Sequence, residues 1–407
     1  MKKQLVVIGG GAAGFFCAIT AARLNPALAV TIVEKTGKLL SKVKVSGGGR
    51  CNVTHALFDL TEMSKRYPRG QNFVRKAFHQ FSSTDTVAWF EERGVALKAE
   101  KDGRMFPTTD SSQTIVDCLM REAHRYNVEI RIHTEINSIT RNDDGLHLQG
   151  PGGLSLRADW LCIACGGYPK TSMFAWLQSL GHTVAEPVPS LFTFNLPKHP
   201  VTALMGVSVE RARVKIEGSK LSEEGPVLIT HWGLSGPAIL RLSAWGAREL
   251  ASAQYNFKVH INWLPDKNDQ SLKELMTECR RSHAVKKIGN YNIGLPARLW
   301  LYLLQESGID PDLRFADLPA KLENALIRRV VDEVFEVKGK TTFKEEFVKA
   351  GGIQLGEVDV QTMQSRKMPG VFFAGEILDV DGITGGFNFQ HAWTSGYIAA
   401  KSISEEK

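Results

Sequence analysis

The chain has 407 residues, of which 43% are hydrophobic, and this length predicts two or three domains with cores of ordinary size. No run reaches the ~18 apolar residues of a membrane-spanning helix. The six cysteines are irregularly spaced, which excludes a disulfide framework or a zinc site of common spacing. We therefore expect a cytoplasmic protein with no membrane partner. The composition does not indicate an oligomeric state.

A glycine fingerprint lies near the start of the sequence. Leu5 to Ile8 predict a strand that stops at the first glycine of a GxGxxG pattern. Gly9 permits the tight turn, Gly11 lets the backbone approach a pyrophosphate, and Gly14 lets the next helix pack closely on its strand. A second strand ends at Glu34, a carboxylate suited to a ribose hydroxyl that would repel a 2′-phosphate. The pattern favours FAD or NAD over NADP.

The elements between 71 and 330 change in character near Pro187. Before it, helical periodicity is found at 71–81, 84–93 and 112–126, strands at 128–132 and 160–164, and a small β-meander at 136–158. After it, short strands at 191–196, 206–209, 214–217, 227–230 and 257–261 predict an antiparallel sheet or barrel. Three helical patterns follow, at 271–282, 295–306 and 317–330, and residues 343–349 then return the chain toward the cofactor.

A second glycine turn, late in the sequence, separates FAD from NAD. The strand Val371 to Phe373 leads into Glu376, and two glycines, Gly385 and Gly386, precede a helix that begins near 388. A carboxylate here can hold ribityl hydroxyls, and a helix N-terminus stabilises the negative charge that reduction builds on a flavin. NAD has no such group, so we predict FAD. The alternative is an ordinary strand–turn–helix with glycine caps.

Four sequence motifs carry a resemblance to a known family. They are GGGAAG at 9–14, KVSGGGRCNVT at 44–54, THWGLSGPA at 230–238, and the segment 351–397, which contains GVFFAGEILDVDGITGGFNFQ. Together they resemble the BaiN/RdsA-type (YhiN-like) NAD(P)/FAD-dependent oxidoreductases over essentially the whole chain. One departure is Cys165, in an Ala-Cys-Gly-Gly turn where such proteins usually have Thr.

The resemblance implies an α/β fold of the two-dinucleotide-binding-domain flavoprotein type. We predict a discontinuous Rossmann-like FAD-binding domain (1–189 and 350–407), an inserted antiparallel β-barrel-like domain (190–263 and 335–349) and a helical subdomain (264–334). The predicted cofactor-binding residues are Gly9, Gly11, Ala13, Gly14, Glu34, Lys35, Gly48, Arg50, Cys51, Asn52, Gly166, Gly167, Gly375, Glu376, Asp381, Gly386, Asn388 and Phe389. No metal site is predicted.

Candidate catalytic groups are few. His231, followed by Trp232, offers a proton donor for a reaction begun by hydride, or it holds its loop by hydrogen bonding. Tyr168 and His391 are reserve candidates. Cys51 follows a glycine run in a loop expected to approach the cofactor, although a packing role is favoured. Cys162 and Cys165 form a CxxC on a strand, where residues three apart face opposite sides, so a redox pair is disfavoured.

The positive charge is concentrated in one segment. Residues 35–76 hold ten Lys or Arg and two acids, a net charge of +8, whereas the whole chain carries +7. Interleaved with Phe58, Tyr67, Phe73 and Phe78, this segment favours a surface that steers an anionic or nucleic-acid substrate. A second patch without acids comprises Arg280, Arg281, Lys286, Lys287 and Arg298. The alternative is two solvated faces on a basic protein.

The leading hypothesis is an FAD-dependent oxidoreductase that transfers hydride through the bound flavin. Activities attested in the resembling family leave three substrates open: a uridine of ribosomal RNA reduced to dihydrouridine, a small aminoacetone-like amine, and a steroid-like acid. The basic segment favours RNA over a small molecule. NAD(P)H would dock transiently, since no second GxGxxG follows. A flavin-binding assembly or sensor module is the non-enzymatic alternative.

Overall fold

The computed structural model describes residues 2–341 and 348–406. The helices are α1 Ala12–Leu24, α2 Ser41–Gly49, α3 Leu60–Ser64, α4 Gln71–Ala77, α5 Ser83–Glu91, α6 Ser112–Arg125, α7 Ala175–Gln178, α8 Pro237–Trp245, α9 Ala247–Ser252, α10 Asp269–Ser282, α11 Ala297–Glu306, α12 Ala320–Val331 and α13 Phe387–Glu405. The strands are β1 Gln4–Ile8, β2 Ala29–Val33, β3 Thr54–His55, β4 Leu97–Ala99, β5 Arg104–Pro107, β6 Glu129–Arg131, β7 Ser138–Asn142, β8 Gly145–Gln149, β9 Ser155–Ala158, β10 Trp160–Ile163, β11 Val184–Pro189, β12 Thr193–Asn195, β13 Ser208–Ile216, β14 Ser222–Thr230, β15 Gly233–Ser235, β16 Asn256–Asn262, β17 Glu333–Lys338, β18 Lys340–Thr341, β19 Lys349–Ile353 and β20 Val371–Phe373.

The chain divides into two compact units, residues 1–190 with 343–407, and residues 191–342. The predicted helical segment 264–334 lies in the second unit together with the antiparallel strands. The predicted return of the chain at 343–349 is described only from residue 348 onward, because 342–347 lie outside the described residues. The finer domain limits stay a prediction.

A five-stranded sheet forms the centre of the first unit, in the order β20-β10-β1-β2-β6. All its neighbouring strands are parallel. Strands of such a sheet are covered on both faces, which is why β1, β2 and β10 read as continuous apolar runs. The order and the parallel pairing confirm the predicted Rossmann-like α/β fold.

Helices α1 and α13 pack against each other beside this sheet. Helix α1 is buried from Ala13 to Ala22, which explains why its sequence is apolar on every side. A side chain at Gly396 of α13 would place its Cβ 2.7 Å from the carbonyl oxygen of Ala13. The two helices therefore approach so closely that only glycine fits at the contact.

Smaller antiparallel sheets complete the first unit. The predicted meander is confirmed as the sheet β7-β8-β9, and β3-β5-β4 and β11-β19 form two more. Helix α2 lies directly before the predicted Cys51 loop. Its C-terminal end is irregular, because Gly47 and Gly48 have φ angles of 58° and 67°.

The second unit contains a seven-stranded sheet in the order β17-β16-β13-β14-β15-β12-β18, with antiparallel pairing throughout. The antiparallel prediction is confirmed, but no pairing among the described residues joins β17 to β18, so the sheet does not close into a barrel. The two strands predicted at 206–209 and 214–217 are one strand, β13. A register shift between Val209 and Ala212 interrupts its pairing with β14 and accounts for the broken sequence pattern.

Candidate cofactor site

Four parallel strands of the first unit end level with one another. Ile8 of β1 pairs with Val33 of β2 and with Ile163 of β10, and Ile163 pairs with Phe373 of β20. The residues that follow these strands meet at one edge, where a cavity of about 370 Å³ lies, within the range usual for small-ligand sites. Its lining residues are 9–13, 34, 36, 38, 40–43, 46, 164–167, 348, 375, 376, 380, 388, 389, 391 and 392.

The turn between β1 and α1 is built on close backbone contacts. A Cβ on Gly9 would lie 2.4 Å from the carbonyl oxygen of Ala164, and one on Gly14 would lie 1.9 Å from the carbonyl oxygen of Gly9. A Cβ on Gly11 would meet no atom within 4 Å. Gly9 and Gly14 are therefore required by packing, whereas Gly11 leaves open space beside the helix N-terminus.

Two helix N-termini border the same cavity. Helix α1 begins after Gly11, and Ala12 and Ala13 line the cavity; α13 begins after Gly386, and its residues Asn388 and Phe389 line it as well. The first N–H groups of a helix have no acceptor within the helix and carry partial positive charge. The cavity is therefore suited to a ligand with negative charge at two places.

Glu34 holds the end of β2 at the cavity wall. Its Oε2 accepts a hydrogen bond from Gly10 N at 2.9 Å, and its Oε1 accepts bonds from Thr36 N and Thr36 Oγ1, both at 2.8 Å. Each carboxylate oxygen has two lone pairs, so Oε2 keeps one for a ligand hydroxyl. The position agrees with the ribose contact predicted for this acid, which stays a prediction.

Glu376 lines the same cavity and follows β20. Its Oε1 accepts a hydrogen bond from Lys349 N at 2.8 Å, and its Oε2 forms an ion pair with Lys42 of α2. The Lys42 side chain remains 48% exposed. Lys42 carries no motif that would have marked it in the sequence, and only the fold brings it to a carboxylate 334 positions away.

Side-chain amides support the turn that precedes α13. Hydrogen bonding orients the Asn52 amide so that its nitrogen donates to Thr54 O at 3.0 Å and its oxygen accepts from Gly386 N at 2.9 Å. The Asn388 side chain bonds both the N–H and the carbonyl of Gly382, at 2.8 and 2.9 Å. Asn52 and Asn388 thus shape the turn with their side chains, and only Asn388 lines the cavity.

His391 lines the cavity one turn after Asn388 and is absent from the predicted cofactor-binding set. Its Nε2 lies 3.3 Å from the carbonyl oxygen of Gly375, while its Nδ1 is buried and has no partner among the described residues. Burial lowers the pKa of His391 to about 4. The ring is therefore neutral at pH 7, which suits it to accept a hydrogen bond and not to donate a proton. Its spacing of three from Asn388 was the signal available in the sequence.

Several predicted cofactor residues lie outside the cavity lining. Asp381 is fully buried and pairs with Arg69, whose Nε donates to Oδ1 at 2.5 Å, and with Ser190. Arg50 is 2.6 Å from Glu100, and Lys35 is 2.6 Å from Glu135. The others outside the lining are Gly14, Gly48, Cys51, Asn52 and Gly386. The structure gives Asp381, Arg50 and Lys35 partners within the protein, which the sequence pattern could not reveal.

The three cysteines considered as redox or catalytic candidates have raised pKa values. Cys51 is buried in a left-handed conformation, φ 61°, and burial raises the pKa of its thiol to about 12. Cys162 is buried on β10 beside Cys17, and contact with that thiol and burial raise its pKa. Cys165 lines the cavity, and burial raises its pKa to about 11. The Cys51 side chain is buried and does not line the cavity, and the approach of its loop to the cofactor stays a prediction.

The other proton-donor candidates differ in exposure. His231 is exposed in the second unit, and its ring packs edge-on against Trp232 with centroids 4.1 Å apart. Tyr168, in the first unit, donates toward Cys165 Sγ at 3.3 Å, and burial raises the pKa of its hydroxyl well above the usual value. Tyr168 is therefore unsuited to release a proton at neutral pH.

The residues around the cavity fit FAD. Open space at Gly11 admits a pyrophosphate, the two helix N-termini can hold negative charge, and Glu34 and Glu376 supply two acids to the lining. The unpartnered Nδ1 of His391 is an acceptor that a cofactor hydroxyl could satisfy. These residues would hold the cofactor; their individual roles stay predictions.

Comparison with known proteins gives a consistent result. The profile described as "HI0933-like protein Rossmann domain" matches residues 3–402. A ribosomal RNA dihydrouridine synthase of Escherichia coli (strain K12) is 31% identical, covering 99% of this chain and 98% of the relative. A 3-dehydro-bile acid delta(4,6)-reductase of Clostridium scindens is 29% identical, covering 99% of both chains.

Among solved structures, a 3-ketosteroid-delta4-(5alpha)-dehydrogenase from Rhodococcus jostii RHA1 is similar in fold. It has a TM-score of 0.53 at 13% identity and covers 99% of this chain and 97% of its own. At this identity the likeness concerns the fold alone. Within the described residues, no helix combines the length and apolar character needed to cross a bilayer.

Proposed function

Because the chain belongs to the HI0933-like Rossmann family and is a flavoprotein oxidoreductase, we propose that it binds FAD and reduces a carbon–carbon double bond. The observation that supports this most strongly is the single cavity edge where two helix N-termini and the acids Glu34 and Glu376 meet. We propose further that the double bond is that of a uridine in ribosomal RNA, which becomes dihydrouridine.

The proposed reaction needs a hydride and a proton. Reduced flavin supplies the hydride when it is bound, and a protein acid or water supplies the proton to the other carbon. The residues of the first unit that line the cavity bind and orient the cofactor. Neutral His391 and the high-pKa thiol of Cys51 are poor acids, so we retain exposed His231 as the proposed proton donor.

The RNA substrate is tested directly by mass spectrometry of ribosomal RNA. A deletion strain should lose one dihydrouridine, and the purified enzyme with a reductant should restore it in the extracted RNA. Unchanged dihydrouridine content in the deletion strain would sink the proposal. NADH and NADPH, each added to the oxidised holoenzyme without air, identify the electron donor by the rate at which flavin absorbance bleaches.

The proton-donor role is tested by replacing His231 with Asn. A general acid contributes about 10²–10⁴-fold to a rate, so kcat should fall by that range while FAD content and the rate of flavin reduction stay unchanged. Equal kcat in the wild type and the variant would show that His231 only holds its loop.

A second candidate substrate is a steroid-like acid. It is favoured by the similarity to the bile acid reductase, at 29% identity over the whole chain. Incubating the reduced enzyme with a dehydro-bile acid and recording loss of conjugated absorbance decides between the two. A small-amine oxidase would instead reoxidise its flavin rapidly in air and release peroxide with an aminoacetone-like substrate.

A further inference from the structure

The ten cations of the segment 35–76 are not equally available to a partner. Five form ion pairs within the protein: Lys35 with Glu135, Lys42 with Glu376, Arg50 with Glu100, Lys65 with Glu62 and Arg69 with Asp381. Lys38 has an interaction of its own. Among the described residues, the side chains of Lys44, Arg66, Arg75 and Lys76 have no hydrogen-bond or ion-pair partner, and all four are exposed.

Three of these four cations lie within eleven consecutive residues. Arg75 and Lys76 are on α4, and the exposed positions of this helix, with Gln71 and Asn72, form one stripe at i, i+1, i+4 and i+5. Arg66 precedes the helix. No acid occurs between Glu62 and Asp85 in the sequence, so no local carboxylate neutralises the stripe.

Backbone contacts hold this cationic segment against the turn that leads into the cavity. Ile383 N donates to Arg66 O at 3.0 Å, and Tyr67 Oη donates to Phe387 O at 2.6 Å. A Cβ on Gly70 would lie 2.7 Å from Cγ2 of Val380, a cavity-lining residue. The segment that carries these cations is therefore packed against residues at and next to the cavity wall.

We propose that Arg66, Arg75 and Lys76 form a docking surface for the phosphate backbone of an RNA substrate. This inference rests on the proposed function, since it places the RNA next to the cavity where reduction would occur. A cation without an ion-pair partner can bind a phosphate without breaking an existing ion pair. A cation that is already paired must first separate from its carboxylate. Three such cations in one short segment match a polyanion better than a ligand with one carboxylate.

The aromatic side chains of the segment do not belong to this surface. Tyr67, Phe73 and Phe78 are 0%, 9% and 2% exposed, so these three cannot present their rings to a partner, whereas Phe58 is 51% exposed. Arg69 is also unavailable, because its side chain is 10% exposed and bonded to buried Asp381. Docking through Arg66, Arg75 and Lys76 is thus through phosphates, which positions RNA without reading its sequence.

The basic patch of the second unit is a matched contrast. Arg280 pairs with Glu323, Arg281 with Glu278 and Lys287 with Asp312, while Arg298 donates to the carbonyls of Ala203 and Met205. Of this patch, only Lys286 keeps a side chain without a hydrogen-bond or ion-pair partner among the described residues. The sequence from 280 to 298 contains no acid, yet the folded chain places a carboxylate beside three cations of this patch.

The test uses the FAD-loaded full-length protein and extracted ribosomal RNA. Dissociation constants are measured between about 50 and 200 mM salt for the wild type, the variant R66E/R75E/K76E and the control K215E/K220E/K258E. The control reverses three exposed cations of the second unit that are likewise unpaired among the described residues. FAD content and melting temperature confirm that both variants are folded.

We expect the R66E/R75E/K76E variant to bind RNA at least ~10-fold more weakly and to lower the log–log salt slope by about 2, at ~0.7 for each RNA phosphate that the protein no longer neutralises. The control should keep the wild-type slope. Equal binding by the wild type and the R66E/R75E/K76E variant, equal weakening in both variants, or no RNA binding by the wild type would each overturn the docking surface. Loss of dihydrouridine in the deletion strain is measured separately, so the substrate proposal can stand if the surface fails.

Discussion

Two walls of the cofactor cavity differ in whether backbone or side-chain atoms form them. The wall at the β1–α1 turn consists of backbone in close contact, with Gly9 against Ala164 and Gly14 against Gly9. The wall between β20 and α13 is shaped by side chains, among them Glu376, Asn388 and His391. The Nδ1 atom of His391 has no hydrogen-bond partner among the described residues. Backbone contacts tolerate no added atom, whereas side-chain contacts can be exchanged for others of similar geometry. We therefore expect substitutions at the closely packed Gly9 and Gly14 to affect folding more than substitutions of the side chains at the second wall.

The largest effect is expected for Gly14→Ala. Alanine suits a helix better than glycine, but its Cβ would lie 1.9 Å from Gly9 O, so we expect a loss of about 3 kcal/mol or more in the free energy of unfolding. The matched control is Gly11→Ala, whose Cβ meets no atom within 4 Å. It should keep the stability of the apoprotein and lower FAD affinity. Urea unfolding of the apoproteins and FAD titration separate the two outcomes; equal stability of both variants would contradict the packing role of Gly14.

The next effect concerns stability against pH. The pKa of His391 is about 4 in the folded protein and 6.5 when exposed, so the unfolded chain binds a proton first as pH falls. The neutral His391 ring makes its full contribution to the free energy of unfolding above about pH 6.5. The free energy of unfolding falls as the pH decreases toward 4, where it is about 3 kcal/mol lower. His391→Asn cannot titrate, so the difference in unfolding free energy between wild type and variant should vary with pH across this window. A constant difference would show that the ring is not held neutral.

A smaller effect is expected on FAD affinity, and it depends on which nitrogen of His391 is replaced. In His391→Gln the amide nitrogen can keep the bond to Gly375 O but supplies no acceptor at Nδ1, whereas in His391→Asn the amide oxygen replaces Nδ1. One hydrogen bond is worth up to about 1.5 kcal/mol, so His391→Gln should weaken FAD binding ~10-fold and His391→Asn should change it little. Flavin fluorescence on reconstitution of the apoproteins measures this. The reverse order would assign the importance to the Gly375 contact.

The smallest effect is expected for the ion pair between Lys42 and Glu376 at the second wall. Lys42→Met removes an ion pair whose lysine is 48% exposed, and exposed pairs contribute less than about 1 kcal/mol. The melting temperature of the apoprotein should therefore change by only a few degrees at most. A large drop would mean that Glu376 depends on Lys42 and that the second wall is as intolerant as the first.

Sequence alone predicted the parts of the site that depend on short-range patterns in the chain. The glycine fingerprint and Glu34 are set by residues close together in the chain, and the structure has them on one cavity. The pairing of Asp381 could not be predicted, because its partner Arg69 is 312 positions away and nothing near Asp381 in the sequence indicates it. The burial of Tyr67 could not be predicted for the same reason, because Tyr67 contacts Phe387, which is 320 positions away.

The fold was predicted with the same limitation. Helical and strand periodicity identified most elements because each depends on its own side chains. The barrel expected of the second unit depends on whether the two edge strands, β17 and β18, pair with each other, which no local pattern reports. The single strand β13 was likewise predicted as two strands, since a register shift interrupts the alternation of side chains as the end of a strand does.

The close packing of α1 on α13 has a consequence for synthesis of the protein. Translation produces Ala13 long before Gly396, yet each covers the other, and β20 joins the sheet beside β10 only after residue 373 has been made. The parallel sheet and the cavity therefore stay incomplete while most of the chain emerges from the ribosome, with apolar strands exposed. Contacts between residues this far apart are slow to form, so we expect the nascent chain to be a chaperone client and FAD to bind only after release.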